Sequence, residues 1–233
     1  MSDKNTITRR LMKRLKPLRH RVNAYIAKYS KIGDEEIYDP SKFEYLAVLQ
    51  EHWEEIRSEA DQVILKENIP SLGSISKDHQ RLDAEGKWKS FILWGYGFKS
   101  QKNCKCCPIT ASLIDDIPGL LTAMFSIHEP GAHLPRHRGV TKGMITYHLG
   151  IHIPDNCYIE VEDKRYYWQE GKFFVFDDTY FHEVFNNSNQ NRIILLLHIR
   201  RPLRQPGKFI QDAIFWLLQH SPFVTETKRQ LNA

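Results

Sequence analysis

The sequence predicts a mainly β domain with flanking helices, an antiparallel sandwich or barrel, and three observations carry that expectation. From Phe91 onward, short runs of alternating, β-branched and aromatic residues are separated by turn residues. Before residue 70 and after residue 206 the apolar spacing is three or four, the period of a helix. With 233 residues, 41% hydrophobic and 12% aromatic, the chain has enough apolar surface for one substantial core. The expected organisation is a basic arm over 1–30, a helical support over 31–90, a β core over 91–203 and a helical tail over 204–233, with arm, support and tail joined to the core in one domain.

The arm carries nine Lys/Arg and one acid, a net of +8 that leaves −3 for the other 203 residues. Ile7, Leu11, Leu15, Leu18, Val22 and Tyr25 fall on one helical face opposite Arg9, Arg10, Lys13, Arg14 and Arg21, with a bend or break near Pro17. Such a helix either lies on an anionic membrane, gaining ~1 kcal/mol per basic residue near the lipid, or packs on the domain with a solvated outer face. Nucleic acid is not an expected partner, because the remainder is acidic and shows no recognised module. A second helix is expected from Ser41 to Ile69, with Ser41 as N-cap and Tyr45, Leu49, Trp53, Ile56, Ala60 and Val63 along its stripe.

Eight strands follow: 91–97, 122–128, 144–153, 157–162, 165–168, 172–176, 181–185 and 192–199, with turns in "EDKRYYW", "QEGK" and "NNSNQN". A last helix is expected near Phe209 to Gln219. No run approaches the ~20 apolar residues of a membrane span, and the N-terminus has no signal-type segment. The expected location is the cytoplasm, in solution or peripheral at the inner face of a membrane. In that reducing compartment the four cysteines stay free and packing holds the fold. Cys104, Cys106 and Cys107 in "CKCC" could join Cys157 or a histidine around zinc, although the spacing is atypical for that metal.

The strand at 144–153 has a greasy face, Ile145, Tyr147, Leu149, Ile151 and Ile153, and a polar one, Thr146, His148, Gly150 and His152. The polar face either meets solvent or lines a functional cavity. His137 precedes this strand in an expected loop with Pro135 and Gly139. His182 and Arg192 flank the Asn-rich turn, and a hairpin symmetric about Asn187 would set them on the same side of one sheet. A guanidinium there suits bidentate pairing with a carboxylate, and a one-residue slip would turn it to the other face.

Taken in order, "FILWGYG", "FSIHEPGAHLPRHRG", "YHLGIHIP", "WQEGKFFVFDDTYFHEVFN" and "NRIILLLHIRRP", with "IYDPSKF" upstream, resemble the aspartyl/asparaginyl β-hydroxylase family of Fe(II)- and 2-oxoglutarate-dependent oxygenases. The resemblance implies a double-stranded β-helix, the jelly roll or cupin-like fold, holding one ferrous ion and using 2-oxoglutarate and dioxygen. It implies His137 and His182 as the iron ligands, Arg192 on the distal carboxylate of the co-substrate, and Ser126 and His148 as its other polar contacts. Many relatives in the wider superfamily add a carboxylate two residues after the first histidine; Gly139 stands there, which matches the two-histidine branch. Asp177 and Asp178 either orient an imidazole N–H or end a strand. Thr146 replaces a basic residue common in the family, and His152 has no assigned role.

The implied reaction is hydroxylation of an unactivated carbon. The first expectation is the β-carbon of aspartyl or asparaginyl residues, in peptides, proteins or amino-acid substrates. Arg136, Arg138, Lys142, Arg200 and Arg201 are candidates for the basic pocket this requires. One alternative is 2-hydroxylation of a lipid acyl chain, of lipid A or ornithine lipid type, which the basic arm suits. Another is a non-catalytic jelly-roll binding module.

Overall fold

The computed structural model describes residues 16–76, 79–221, 224, 225 and 228, so the first half of the basic arm lies outside the described residues. Helix α1 (Lys16–Lys28) leads to β1 (Ile37–Tyr38), a 3-10 helix (Pro40–Leu46), and helices α2 (Ala47–Glu51), α3 (Trp53–Lys66) and α4 (Leu72–Ile75). Strands β2 (Trp88–Gly95) and β3 (Phe98–Lys99) precede α5 (Gln101–Cys106) and α6 (Pro108–Asp115). Then come β4 (Leu120–His128), β5 (His133–His137), β6 (Met144–His152), β7 (Cys157–Val161), β8 (Lys164–Tyr166), β9 (Phe173–Phe176), β10 (His182–Asn186) and β11 (Arg192–Arg200). Helix α7 (Gly207–Gln219) follows.

The strands form two antiparallel sheets, β1-β9-β6-β11-β4-β2-β3 and β5-β10-β7-β8. From β4 onward the chain alternates between them, apart from the β7–β8 hairpin inside the smaller sheet, which is the winding of a double-stranded β-helix. Period-two alternation divides the apolar residues into two cores. Ile145, Tyr147 and Leu149 of β6, with Leu195 and Leu197 of β11, pack outward against Leu49, Ile56 and Ala60 of the helical layer. Met124, Ile194 and Leu196 face inward and meet Ile159, Val161 and Val184 of the smaller sheet. Any polar side chain on the inward face of the large sheet is therefore enclosed.

Several expectations are corrected. The helix over 41–69 is broken into three, because Asp39 caps its start by accepting from Ser41 N (2.9 Å), Phe43 leaves helical φ/ψ, and the chain breaks again at His52. Tyr45 consequently stays 41% exposed instead of joining the stripe. His137 ends a strand, β5, rather than sitting in a loop. No hairpin joins residues 182 and 192, since β10 and β11 belong to different sheets. Buried Asn186 makes that crossing, donating to the carbonyls of His128 (2.8 Å), Glu129 (3.1 Å) and Gln190 (2.8 Å). The support also contributes β1, which pairs with β9 and extends the large sheet. Among the described side chains of α1, Asn23 and Ile26 are buried, while Leu18 and Tyr25, placed by spacing on the apolar face, are exposed.

Between the helices, the buried carboxylate of Glu59 caps the start of α6, accepting from Ile109 N (2.7 Å), Thr110 N (2.8 Å) and Thr110 Oγ1 (2.7 Å). Charge-assisted bonds at a helix N-terminus are among the stronger ones. Glu59→Ala is expected to lower unfolding free energy by about 2–3 kcal/mol, read from the urea midpoint at unchanged slope.

Candidate active site

Residues His137 and His182 are Cα partners across β5 and β10. Leu134 of β5 faces the interior, so a regular strand would turn position 137 outward. The register corrects this: Val184 pairs with Leu134 while His182 pairs with His137, which places one extra residue on β5. This β-bulge, spanning Pro135 and Arg136, re-aims the side chain. The two rings lie 4.1 Å apart, centroid to centroid, tilted by 55°.

Each ring uses the same local bond. His137 Nδ1 meets Pro135 O at 2.8 Å, and His182 Nδ1 meets Tyr180 O at 3.0 Å. A carbonyl only accepts, so both Nδ1 atoms carry the proton and both Nε2 atoms present lone pairs. Burial holds both imidazoles neutral, with His182 pulled down to about 3. Two neutral imidazoles oriented in this way fit a divalent metal. Among the described residues no third carboxylate, imidazole or thiolate joins them.

Gly139 explains that pair. A Cβ there would overlap the Asp178 carboxylate, and Gly139 N donates to Asp178 O at 2.6 Å. Burial raises Asp178 to about 7, and its Oδ1 has no partner among the described residues. Neither aspartate orients an imidazole. Asp177 instead pairs with buried Arg201 and with Lys142 Nζ (3.0 Å), and it caps its own turn through Thr179.

Arg192 enters the same interior from the start of β11. It is 1% exposed, its guanidinium lies 4.8 Å over the Trp168 ring, and Nε and Nη1 have no partner among the described residues. Desolvation pulls it down to about 9. A buried guanidinium without a counter-ion is costly, and the donors it leaves open fit a carboxylate. The polar face of β6 lines this cavity rather than meeting solvent. His148 Nδ1 accepts from Trp168 Nε1 (3.2 Å), which leaves Nε2 as the donor. Ser126 Oγ accepts from Trp88 Nε1 (2.9 Å), so its hydroxyl proton remains free to point elsewhere. The residues thus fit both groups that the resemblance implies, metal and dicarboxylate.

His152 does not share the face of His148. A second bulge, on β6 between Gly150 and His152, turns it outward to Asp61 (2.6 Å). Sequence reasoning missed His128, a buried Cα partner of Arg192 with an unpaired Nδ1, and His198, which pairs in register with Thr146 and lies 4.0 Å from Asp178. Both stand at inward positions of their strands, so the alternation that exposed His148 also marks them. The proposed basic pocket does not assemble. Arg201 and Lys142 serve Asp177, Arg200 serves Asp212, and Arg136 serves Asp163, leaving Arg138 with no carboxylate partner among the described residues. Among the described residues no zinc site assembles: Cys104 and Cys107 sit in the outer core and Cys157 in the inner one, and no histidine joins the cysteines in a group of three or more possible ligands.

A family model described as aspartyl/asparaginyl beta-hydroxylase matches residues 50–202. The chain is 39% identical over 203 residues to an ornithine lipid ester-linked acyl 2-hydroxylase of Rhizobium tropici, a match covering 85% of this chain and 72% of that protein. It is 30% identical over 169 residues to the aspartyl/asparaginyl beta-hydroxylase of Homo sapiens, covering 70% of this chain but 22% of the human protein.

Two substitutions test the geometry. Arg192→Met removes an uncompensated buried charge and is expected to raise the stability of the protein without co-substrate by about 1–3 kcal/mol. A dicarboxylic acid such as 2-oxoglutarate is expected to raise the melting temperature of the wild type and to leave that of this variant unchanged. Gly139→Ala forces a methyl group into the Asp178 carboxylate and is expected to cost about 1–3 kcal/mol in chemical denaturation.

Proposed function

This chain belongs to the aspartyl/asparaginyl β-hydroxylase family, and from that membership we propose an Fe(II)- and 2-oxoglutarate-dependent hydroxylase whose substrate is the acyl chain of a membrane lipid. The observation that carries the metal and co-substrate assignment is the enclosed pair of Nε2 lone pairs beside an unpaired buried guanidinium.

When bound, iron and 2-oxoglutarate with dioxygen supply the oxidation that turns C–H into C–OH, with release of succinate and carbon dioxide. His137 and His182 would hold the metal through Nε2, and Gly139 leaves the remaining positions to exogenous ligands. Arg192 would hold the distal carboxylate, with His148 Nε2–H and Ser126 Oγ as further donors. Phe176 packs edge-on against both His148 (5.1 Å) and His182 (5.3 Å), an apolar ring in contact with a residue of each group.

Two observations favour a lipid over an acidic side chain. The relative from Rhizobium tropici shares most of its length with this chain and is named for an acyl 2-hydroxylation. Four of the five cations that could have greeted an aspartate are already paired.

The test is succinate release and a one-oxygen mass gain on an ornithine lipid in detergent, with an aspartate-containing peptide in parallel. Both signals are expected with the lipid, both should require Fe(II) and 2-oxoglutarate, and His137→Ala or His182→Ala should reduce them to background. Full turnover in either variant removes the metal assignment, and oxidation of the peptide alone returns the substrate to the aspartyl/asparaginyl class.

A further inference from the structure

The open end of the sandwich is where β5 and β9 finish and β6 and β10 begin, and both helices outside the sheet layer are fastened there. Buried Asn23 of α1 clips the loop after His137, donating to Val140 O (3.3 Å) and accepting from Lys142 N (3.1 Å). Buried Gln211 of α7 does the same for the strand ends, donating to Gly143 O (2.6 Å) and Arg201 O (2.8 Å). Phe215 seals the contact against Leu121 and Met144.

Outward, α7 repeats an apolar pattern. Phe209, Ala213, Trp216 and Leu217 recur at helical spacing on the face opposite Gln211 and Phe215, and the three large residues are 70%, 59% and 64% exposed. Seven of the eleven exposed large hydrophobic side chains among the described residues belong to this end: these three, Leu18 and Tyr25 of α1, and Val140 and Phe181 beside the histidines. Scattered apolar residues need no explanation, but a concentration on one end does. Cations accompany it. Arg138 lies 4.8 Å over the Phe181 ring, and Arg19, Arg21, Lys28 and Arg204 have no carboxylate partner among the described residues. The arm preceding α1 adds five more Lys/Arg against one acid.

We propose that α7, the outer face of α1 and the rim at Val140 and Phe181 form one docking surface for an anionic bilayer, presenting the mouth of the active site to the lipid. Trp and Phe suit the headgroup boundary, and the flanking cations suit anionic lipid. The arrangement would let an acyl chain reach the histidines without leaving an apolar environment. Its purpose rests on the lipid reading above, but its physical test does not.

Full-length protein without iron or 2-oxoglutarate is mixed with sedimenting vesicles of phosphatidylcholine, with and without phosphatidylglycerol. Binding is expected to require phosphatidylglycerol and to weaken toward ~0.15 M salt. The combined Phe209→Ser, Trp216→Ser and Leu217→Ser variant should bind at least ~10-fold more weakly at an unchanged melting temperature. In the wild type, brominated lipid should quench a fluorescence component that Trp216→Phe removes. Equal binding by the triple variant overturns the proposal, as does loss of binding only when Arg9, Arg10, Lys13 and Arg14 become Gln. A wild-type dimer that the triple variant converts to monomer overturns it too, assigning the face to a second copy. Vesicle binding without oxidation of any lipid would leave the docking surface standing and the substrate reading fallen. Detergent-phase oxidation by a chain that ignores vesicles would do the reverse.

Discussion

A single extra residue in β5 sets the chemistry of the interior. Without the bulge at Pro135 and Arg136, the inward position of Leu134 would send His137 to solvent, and His182 would face the cavity alone. Pro135 suits the place because it gives up no ladder N–H, while its carbonyl fixes the His137 tautomer. Tyr180 repeats the bond for His182 at the same two-residue offset. Position and protonation of both rings are thus settled by backbone within two residues of each, before any ligand arrives.

Among the described residues two arginines are fully buried, and the fold satisfies them very differently. Arg201 is satisfied on every side: Asp177, the carbonyls of Lys142 (2.7 Å) and Gly33 (2.9 Å), and the Tyr38 hydroxyl (2.8 Å). That network fastens the N-terminal loop to the turn before His182. Arg192 is as deeply enclosed yet has an aromatic face and no anion. Folding tolerates one such group because the surrounding apolar burial outweighs it, and the imbalance is what a dicarboxylic acid would correct. Sequence composition cannot tell these arginines apart, since they flank the same hydrophobic run, Ile193 to Leu197.

Legibility in the sequence followed the regularity of the backbone. The β4, β6 and β11 runs are legible as strands, and the alternation of β6 sets Thr146 and His148 on one polar face, whereas Ser126 rests on resemblance alone. What failed were departures from period two. The bulge near Gly150 turned His152 away from the face its number implies, and β5, irregular and Pro-containing, read as a loop. The supposed 182–192 hairpin failed because Asn186 carries the chain from one sheet to the other, a tertiary event with no local signature. In α1 the helical period holds, but spacing does not show that the domain is gripped by buried Asn23, which spends its amide on the loop after His137, while Leu18 and Tyr25 stay exposed. The pairing of His137 with His182 rested on resemblance; their spacing alone carries no geometry.

That no third carboxylate joins the two histidines among the described residues is likewise a property of the fold rather than a lost side chain. A glycine could be a relic that any acid might replace, but here the volume is already taken by Asp178, whose backbone carbonyl also binds Gly139 N. The Asp178 carboxylate therefore fills the space a side chain at 139 would need. Its position depends on the turn that Asp177 caps and Arg201 anchors. Restoring an acid at 139 would require moving that turn, and with it the Tyr180 carbonyl that orients His182. The two histidines and the glycine are one mutually dependent arrangement, in which adding a carboxylate at position 139 means repacking the loop that holds His182.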